Sequence, residues 1–361
     1  MRPFIRSVRI ASFVLPLQRE ISVQNERLFE RRGWIIALID QLGNVHFGEV
    51  APLVGVHRET IGQCYSELND LRTQLTGCEI RIEQFNWERT MLGMVEPGKG
   101  LSPAVQFGIE QALLSVALRY IPNLARANVS VPCAGLINLN VSSDVERAAS
   151  RVDEYVRRGA RSVKVKVGGL PIARAVAGVR RLAAQSSGAI RFRLDANRGL
   201  SMGAFRELRD GLAGIDVEFF EEPVADPSQC EREAAAGGFC IALDEHLWDL
   251  DQTEQTAAGY YVLKPSRLGG ISGTVRWINL AKKRGVHAIL SSCYDSGLSM
   301  LTYAFLCSCF DLGSRDMGLG TYESLQEDVL RTPLGIAPGV NEVALPSIDL
   351  EINDRTVSWG A

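Results

Sequence analysis

Residues 162–168 read Ser162-Val163-Lys164-Val165-Lys166-Val167-Gly168 and carry two lysines within a run of valines. The valines predict a buried strand, and alternate side chains of a strand share a face, so Lys164 and Lys166 project together. Burying two cations side by side is costly unless a site uses them. One outcome is an amine whose pKa is lowered far enough to act as a base near neutral pH.

Lysine is scarce in this chain, which has 39 lysines and arginines of which only six are lysines. Arginine supplies the ordinary surface charge, and it does not release its proton in a protein. Two of the six lysines lie on one strand face. This favours a functional pair over the alternative of two edge-strand lysines that face water.

From about Val131 onward, short apolar runs alternate with helical stretches every 20–30 residues. This alternation favours a parallel barrel. A doubly wound sheet is the alternative, but it is expected to carry a glycine-rich phosphate turn that the sequence lacks. The predicted strands are 133–139, 162–167, 190–196, 217–222, 241–244, 260–264, 287–292 and a weaker one at 316–321.

The first 125 residues are organised differently, with strand-like stretches followed by the helical stretches 60–75 and 102–119. This order indicates a separate α+β module. Residues 18–32 are polar and without periodicity, which predicts a loop. We therefore predict an α/β fold: a (β/α)7β TIM-like barrel over 126–325, and an α+β capping domain over 1–125 completed by the segment 326–361.

Composition excludes several classes of partner. The net charge of −3 gives no electrostatic case for nucleic acid or an anionic membrane, and no apolar run approaches the ~18 residues that a membrane span needs. Eight scattered cysteines predict reduced thiols in a cytoplasmic protein, and the four histidines lack zinc-ligand spacing. The sequence leaves the oligomeric state open.

Polar residues end the predicted barrel strands, where parallel barrels gather their chemistry. Three acids on adjacent strands would repel one another without a cation, and oxygen ligands suit Mg²⁺. An acid at a strand end, taken alone, is more often a helix cap or a solvated turn residue. The predicted metal ligands are Asp195, Glu221 and Asp244, flanked by Lys164 and Lys166 on one side and by Lys264 on the other.

These motifs resemble the enolase superfamily, and within it the muconate-lactonizing subgroup. The shared patterns are K-x-K at 164–166, D-x-N at 195–197, E-E-P at 221–223, D-E at 244–245 and K-P at 264–265. The segments 48–53 and 107–113 are similar to two motifs of the superfamily's capping domain. Arg193, the segment 290–298 and Gly318-Leu319 are most similar to the o-succinylbenzoate synthase family. Gly320 and His246 depart from that family's usual Asp and Ser.

The resemblance implies a lyase that uses Mg²⁺, with Mn²⁺ as an alternative, on a small-molecule carboxylate. The implied reaction is the syn dehydration of 2-succinyl-6-hydroxy-2,4-cyclohexadiene-1-carboxylate in menaquinone biosynthesis, through abstraction of the carboxylate α-proton and an enediolate. Lys166 would be the base, Lys264 would face the ring from the other side, and Lys164 would lower the pKa of Lys166. The implied substrate contacts are Arg193, Asn197, Ser292 and Gly318.

Two alternatives follow from the same residues. An N-acylamino acid racemase, a dipeptide epimerase or a muconate-type cycloisomerase would keep the site and change the substrate. A barrel that has lost its chemistry and serves as a binding or scaffold protein would not need every expected acid and lysine, yet all are present.

Overall fold

The computed structural model describes residues 3–23, 26–87, 89, 91–95, 100–124, 128–139, 145–248, 250, 256–344 and 350–359. The regular elements follow here in chain order. The first part contains β1 (Ile5–Val23), β2 (Glu26–Asp40), β3 (Val45–Val50), α1 (Ile61–Leu75), α2 (Pro103–Tyr120) and β4 (Asn128–Cys133). The second part contains β5 (Gly135–Asn138), α3 (Val145–Arg157), β6 (Ser162–Lys166), α4 (Ile172–Ser186), β7 (Arg191–Asp195), α5 (Met202–Gly211), β8 (Val217–Glu221), α6 (Pro227–Ala236), β9 (Ile241–Leu243), β10 (Tyr260–Leu263), α7 (Gly270–Arg284), β11 (His287–Leu290), α8 (Gly297–Cys309), β12 (Gly339–Ala344) and β13 (Val357–Trp359).

Strands β5 to β11 form one parallel sheet in sequential order, and a short segment closes it into a barrel. Met317 bridges Cys133 on one side, and Gly318 bridges Ser291 on the other. The amide of Gly318 donates to the carbonyl of Leu290 at 2.7 Å. The predicted TIM-like barrel with an α+β cap is confirmed, with its weak eighth strand reduced to these isolated bridges.

Strand β6 shows how the sequence positions the site. Val163, Val165 and Val167 are at most 1% exposed and pack in a core cluster with residues of the surrounding helices. Because side chains alternate along a strand, Lys164 and Lys166 face the barrel axis instead. The lysines are held in the interior by the burial of the valines between them.

The cap is an antiparallel sheet in the order β13-β1-β2-β3, with α1 and α2 packed on it. Helix α2 crosses β3 closely: a Cβ on Gly48 would lie 1.8 Å from the carbonyl oxygen of Gly108. Strand β13 brings the C-terminal part of the chain to β1, where Ala11 pairs with Trp359. The domain boundary predicted at 125–126 lies outside the described residues, so the division into domains stays a prediction.

The prediction of a loop over residues 18–32 is wrong where the structure describes them. Strand β1 extends to Val23 and β2 starts at Glu26, with Ile21 paired to Leu28 and Ser22 paired to Arg27. Backbone hydrogen bonds build this hairpin, and they do not require the apolar alternation that the prediction relied on. All eight cysteines are free thiols. None of the helices in the described part of the chain is long and apolar enough to cross a membrane.

Candidate active site

The carboxyl ends of the barrel strands and a loop of the cap surround a cavity of about 610 Å³. Strand register aligns three of the predicted residues, because Lys166 pairs with Asp195 and Asp195 pairs with Glu221. Asp244 follows directly after β9, and Lys264 follows directly after β10. The structure thus brings the predicted lysines and acids together at one end of the barrel.

Lys164 and Lys166 both point toward Asp195. The Nζ atom of Lys164 lies 2.9 Å from Asp195 Oδ2 and donates to Glu221 Oε1 at 2.6 Å. The Nζ atom of Lys166 lies 3.8 Å from the same Asp195 oxygen and donates to Asn197 Oδ1 at 3.3 Å. The side chain of Lys166 is 31% exposed and that of Lys164 is 18% exposed, so Lys166 is the more accessible to a molecule in the cavity.

The surroundings of Lys164 favour its charged form. Burial lowers the pKa of Lys164, but the negative charges of Asp195 and Glu221 outweigh burial and raise that pKa above its ordinary value. The sequence predicted no shift for the pKa of Lys164 itself, and the rise follows from the two acids of the neighbouring strands that reach its amine. A lowered pKa of Lys166 stays a prediction.

Lys264 forms the opposite side of the site. Its amine forms an ion pair with Asp244 and lies 5.6 Å from the ring centroid of Trp248. Burial lowers the pKa of Lys264, but the charge of Asp244 outweighs it and raises that pKa well above its ordinary value. The two lysine groups are therefore held at the two ends of a row of acids, which lie at the carboxyl ends of β7 and β8 and directly after β9.

Asp195 and Glu221 compete for the amine of Lys164. Burial raises the pKa of Asp195, but Lys164 and Lys166 outweigh burial and hold that pKa at about 2. Burial dominates at Glu221 and raises its pKa to about 8, although Lys164 opposes this shift. Asp195 is therefore the acid of this pair that keeps its negative charge most firmly.

Arg193 lies in the barrel interior and borders the cavity. Its guanidinium donates to Glu218 Oε2 and to the carbonyl of Asp316, each at 2.7 Å, and it lies over the ring of Phe219 at 5.2 Å. The side chain is only 2% exposed. This geometry is that of a core arginine paired with an acid, and a substrate contact through Arg193 stays a prediction.

The other three predicted substrate contacts also border the cavity. Asn197, which accepts from Lys166, donates to Glu245 Oε1 at 3.2 Å. The hydroxyl of Ser292 contacts that of Thr321, and the amide of Ser292 donates to the carbonyl of Gly318. Gly318 uses its own amide to close the barrel, and a Cβ at this position would lie 2.9 Å from the hydroxyl of Ser291, so the glycine allows the two segments to approach closely.

Two known domain families match this chain. Residues 147–346 match the family described as enolase C-terminal domain-like, which covers more than half of the chain. Residues 5–116 match the family described as MenC, N-terminal domain.

The chain belongs to the enolase superfamily.

The family match, taken with the curated relatives, makes the chain an enzyme of the lyase class. It is 26% identical to an o-succinylbenzoate synthase of Aliivibrio fischeri, over 84% of this chain and 87% of that protein. It is 25% identical to the o-succinylbenzoate synthase of Proteus mirabilis, over 91% and 94%. It is also 27% identical to the chloroplastic protein PHYLLO of Arabidopsis thaliana over 85% of this chain, which spans only 20% of that longer protein.

Solved structures of the superfamily share the fold across the whole chain. A dipeptide epimerase from Enterococcus faecalis, complexed with Mg and a dipeptide, has a TM-score of 0.81 at 17% identity, over 99% of this chain and all of that chain. A muconate lactonizing enzyme from Pseudomonas fluorescens has a TM-score of 0.78 at 18% identity, over 98% of each chain. At these identities the likeness establishes the fold alone.

Enzymes of the enolase superfamily use Mg²⁺, and the predicted acids of this member suit that ion chemically. Within the described residues, Asp195 Oδ2 and Asp244 Oδ1 are buried without a hydrogen-bond partner, although Lys164 lies within ion-pair distance of the former. No group of three His, Cys, Asp or Glu side chains in that part of the chain is already arranged around a cation. The amine of Lys164 contacts Asp195 and Glu221 instead, and the amine of Lys264 contacts Asp244. The three carboxylates are oxygen donors of the kind that Mg²⁺ prefers, so the donor set fits the ion in its chemistry.

Glu222 is a residue that the sequence-based reasoning did not assign to the site. It is fully buried with a φ of +43°, and its Oε1 accepts the amides of Asp244 at 2.7 Å and His246 at 3.0 Å. Its Oε2 contacts the His246 ring and accepts from Arg198 at 3.2 Å. Glu222 therefore holds the backbone that carries Asp244. The acidic doublet in E-E-P was the available signal.

Proposed function

We propose that this enzyme is an o-succinylbenzoate synthase, which dehydrates 2-succinyl-6-hydroxy-2,4-cyclohexadiene-1-carboxylate in menaquinone biosynthesis. The observation that carries the proposal is the placement of Lys166 and Lys264 at the two ends of the row formed by Asp195, Glu221 and Asp244. The match of residues 5–116 to the MenC N-terminal domain and the names of the curated relatives favour this reaction over others at the same site.

In the proposed reaction, Lys166 removes the proton from the ring carbon that bears the carboxylate. The same amine, now protonated, gives a proton to the hydroxyl on the neighbouring carbon, and the C–O bond breaks to release water. One C–H bond and one C–O bond are lost, and the ring becomes aromatic. Lys264 contributes positive charge from the other face of the ring, which stabilises the negative charge of the enediolate.

Asp195, Glu221 and Asp244 would hold the Mg²⁺ ion, with Mn²⁺ as an alternative. When bound, the ion supplies positive charge next to the substrate carboxylate, where negative charge develops as the proton leaves. Lys164 lies against Asp195 and Glu221 and is proposed to balance the charge of these acids beside the base.

The direct test is an assay of purified protein with Mg²⁺ and the succinyl-cyclohexadiene carboxylate, followed by the gain in aromatic absorbance. Lys166→Ala is expected to lower kcat by at least ~10³-fold, because it removes both the base and the acid of the reaction. Lys283→Ala is the matched control, since Lys283 is an exposed lysine in the last turn of α7. Absence of product with the wild-type enzyme, or equal rates for wild type and Lys166→Ala, would overturn the proposal.

Lys264→Arg separates dehydration from racemisation or epimerisation. Syn elimination needs a single base, so the variant is expected to retain trace dehydration with its charge in place. Transfer of a proton between two faces needs both Lys166 and Lys264 to exchange protons, and arginine does not do so. Equal exchange of the α-proton from both enantiomers of an N-acylamino acid, faster than dehydration, would replace the proposed function with the racemase alternative.

A further inference from the structure

One buried arginine connects the two sides of the cavity. Arg31 lies on β2 of the cap and is 4% exposed. Its Nη2 donates to the carbonyl of Ala51 at 2.7 Å and its Nη1 to the carbonyl of Pro52 at 3.3 Å. Its Nε donates to the carbonyl of Tyr294 at 3.2 Å. A single guanidinium therefore contacts the backbone of both the cap and the barrel.

Both backbone segments border the cavity. We call residues 51–57 the cap loop; its members Leu53, Gly55 and Val56 border the cavity from the cap. We call residues 291–296 the barrel loop; it follows β11, and its members Ser291 to Tyr294 border the cavity from the barrel. A shift of either loop relative to the other changes the width of the space in which a substrate lies.

Tyr294 has a backbone conformation that needs external support. Its φ is +58°, in the left-handed region that a bulky side chain rarely adopts. Such a residue is strained and persists only where its surroundings fix it. Its carbonyl is the group that Arg31 holds, so the contact bears directly on the strained residue in the cavity wall.

The charge of Arg31 is also compensated within the barrel loop. Asp295 is 2% exposed, and its Oδ2 accepts from the amide of Cys293 and the hydroxyl of Tyr303, each at 2.8 Å. Burial raises the pKa of Asp295, and the charge of Arg31 opposes that shift. The neighbouring Arg32 differs, since it is exposed and pairs only with the exposed Glu30 among the contacts described.

The cap loop has further attachments that do not involve Tyr294. His57 accepts from the amide of Leu53 at 3.0 Å and contacts the carbonyl of Ser266 at 3.2 Å. Arg267 donates to the carbonyl of Val56 at 3.0 Å. These contacts attach the cap loop to the segment after β10. Loss of Arg31 would therefore loosen the cap loop without detaching it, and would release its connection to the barrel loop.

We infer that Arg31 is a positioning residue that couples the cap loop to the barrel loop and so sets how the body of the substrate is oriented. The inference rests on the proposed function only in taking this cavity as the place where the substrate binds. Lysine at position 31 keeps the positive charge beside Asp295 but presents a single ammonium, which does not reproduce a fork over three carbonyls. Arg31→Lys therefore tests the fork separately from the charge, and Arg32→Lys is the matched control.

The first measurement is backbone amide hydrogen exchange, which does not depend on any activity. Arg31→Lys is expected to speed exchange in both loops, while Arg32→Lys leaves both unchanged. The second measurement is steady-state kinetics, in which Arg31→Lys is expected to raise KM by about tenfold with a smaller change in kcat, since the loops contact the body of the substrate rather than its reacting atoms. Faster exchange in the cap loop alone, or kinetics equal to those of wild type, would overturn the inference.

A second variant covers the case in which Arg31→Lys does not fold. Arg31→Met combined with Asp295→Asn removes both buried charges together, and asparagine still accepts from Cys293 and Tyr303. The same exchange pattern is expected in this pair. If wild type does not dehydrate the proposed substrate, the proposed function fails, and the exchange measurements still decide whether Arg31 couples the loops.

Discussion

Two groups of buried carboxylates lie at the same end of the barrel, and different partners surround them. The site acids are Asp195, Glu221 and Asp244. We call the second group, Glu49, Asp295 and Asp328, the junction acids, because they lie where the cap and the C-terminal segment meet the start of α8. Lysine amines contact the site acids. Hydroxyls and backbone amides contact the junction acids.

Glu49 shows the junction arrangement most clearly. Its Oε1 accepts the amide of Ser296 at 3.0 Å, and its Oε2 accepts the hydroxyls of Ser296 at 2.7 Å and Ser299 at 2.5 Å. Asp328 accepts the amide of Gly297 at 2.8 Å and the hydroxyl of Tyr322 at 2.5 Å. The start of α8 is thereby attached to β3 of the cap and to the C-terminal segment.

The contrast lies in how the carboxylate oxygens are satisfied. Both oxygens of Glu49 have neutral donors, as expected for a buried polar group with a structural role. The site acids differ, because their partners are charged amines: Asp195 Oδ2 forms ion pairs with Lys164 and Lys166. In the described part of the chain, Asp244 Oδ1 is buried and lacks a hydrogen bond. The junction acids, whose oxygens accept hydrogen bonds from neutral donors, join the cap to the barrel. Three substitutions test this distinction.

The largest expected effect is at Glu221. In Glu221→Gln, kcat/KM for the proposed dehydration is expected to fall by at least ~10³-fold, because one of three proposed Mg²⁺ ligands loses its charge. The rise in Tm that Mg²⁺ gives the wild type is expected to disappear. Without Mg²⁺, the Tm is expected to change little, because Lys164 keeps its ion pair with Asp195.

The matched control for Glu221→Gln is Glu327→Gln, an exposed acid in the C-terminal segment. Its activity and its response to Mg²⁺ are expected to equal those of wild type. If Mg²⁺ raises the Tm of Glu221→Gln as much as that of wild type, Glu221 is not a metal ligand. The proposed difference between the site acids and the junction acids would then be wrong for the site acids.

A smaller, pH-dependent effect is expected at Glu49. Burial, together with the charge of Asp295, raises the pKa of Glu49 from an ordinary 4.5 to about 7. The folded state therefore binds the proton more tightly than the unfolded state, and this contribution to stability is present below pH ~4.5 and is lost as pH rises to ~7. Glu49→Gln does not titrate, so the stability of wild type relative to the variant is expected to fall across that window by on the order of 2–3 kcal/mol.

Urea unfolding of wild type and Glu49→Gln at several pH values between 4.5 and 8, without added metal, measures this difference. Acids that do not interact with Glu49 contribute equally to both curves, so the difference between the curves reports on Glu49 together with its interaction with Asp295. If the free energies of unfolding of wild type and Glu49→Gln change in parallel between pH 4.5 and 8, Glu49 remains ionised in the folded state. The junction acids would then carry a buried negative charge, as Asp195 does.

The sequence predicted the barrel and the site acids because both follow from local patterns. Valines alternating with Lys164 and Lys166 indicate a strand with one polar face, and acids at strand ends meet at one end of a parallel barrel. The positions of Asp195, Glu221 and Asp244 are separated by one strand–helix unit each. Spacing and side-chain chemistry were sufficient to place them together.

Contacts between segments distant in sequence could not be predicted in the same way. Arg31 and Tyr294 are 263 residues apart, and Glu49 and Ser299 are 250 apart. Neither pair has a periodicity that links its members. The raised pKa of Lys164 was also missed, because it depends on the distances of its amine from Asp195 and Glu221, which only the folded barrel sets.

The smallest expected effect concerns a single donor at the junction. Ser299→Ala removes one of the three hydrogen bonds to Glu49 and is expected to lower the free energy of unfolding by about 1–2 kcal/mol, measured by urea unfolding at pH 7. The donors from Ser296 remain, so kcat/KM is expected to stay within about threefold of wild type. Because Ser299 lowers the pKa of Glu49, its loss is expected to move the Glu49 titration to higher pH. If kcat/KM falls by more than the loss of folded protein accounts for, the junction acids also influence the reaction.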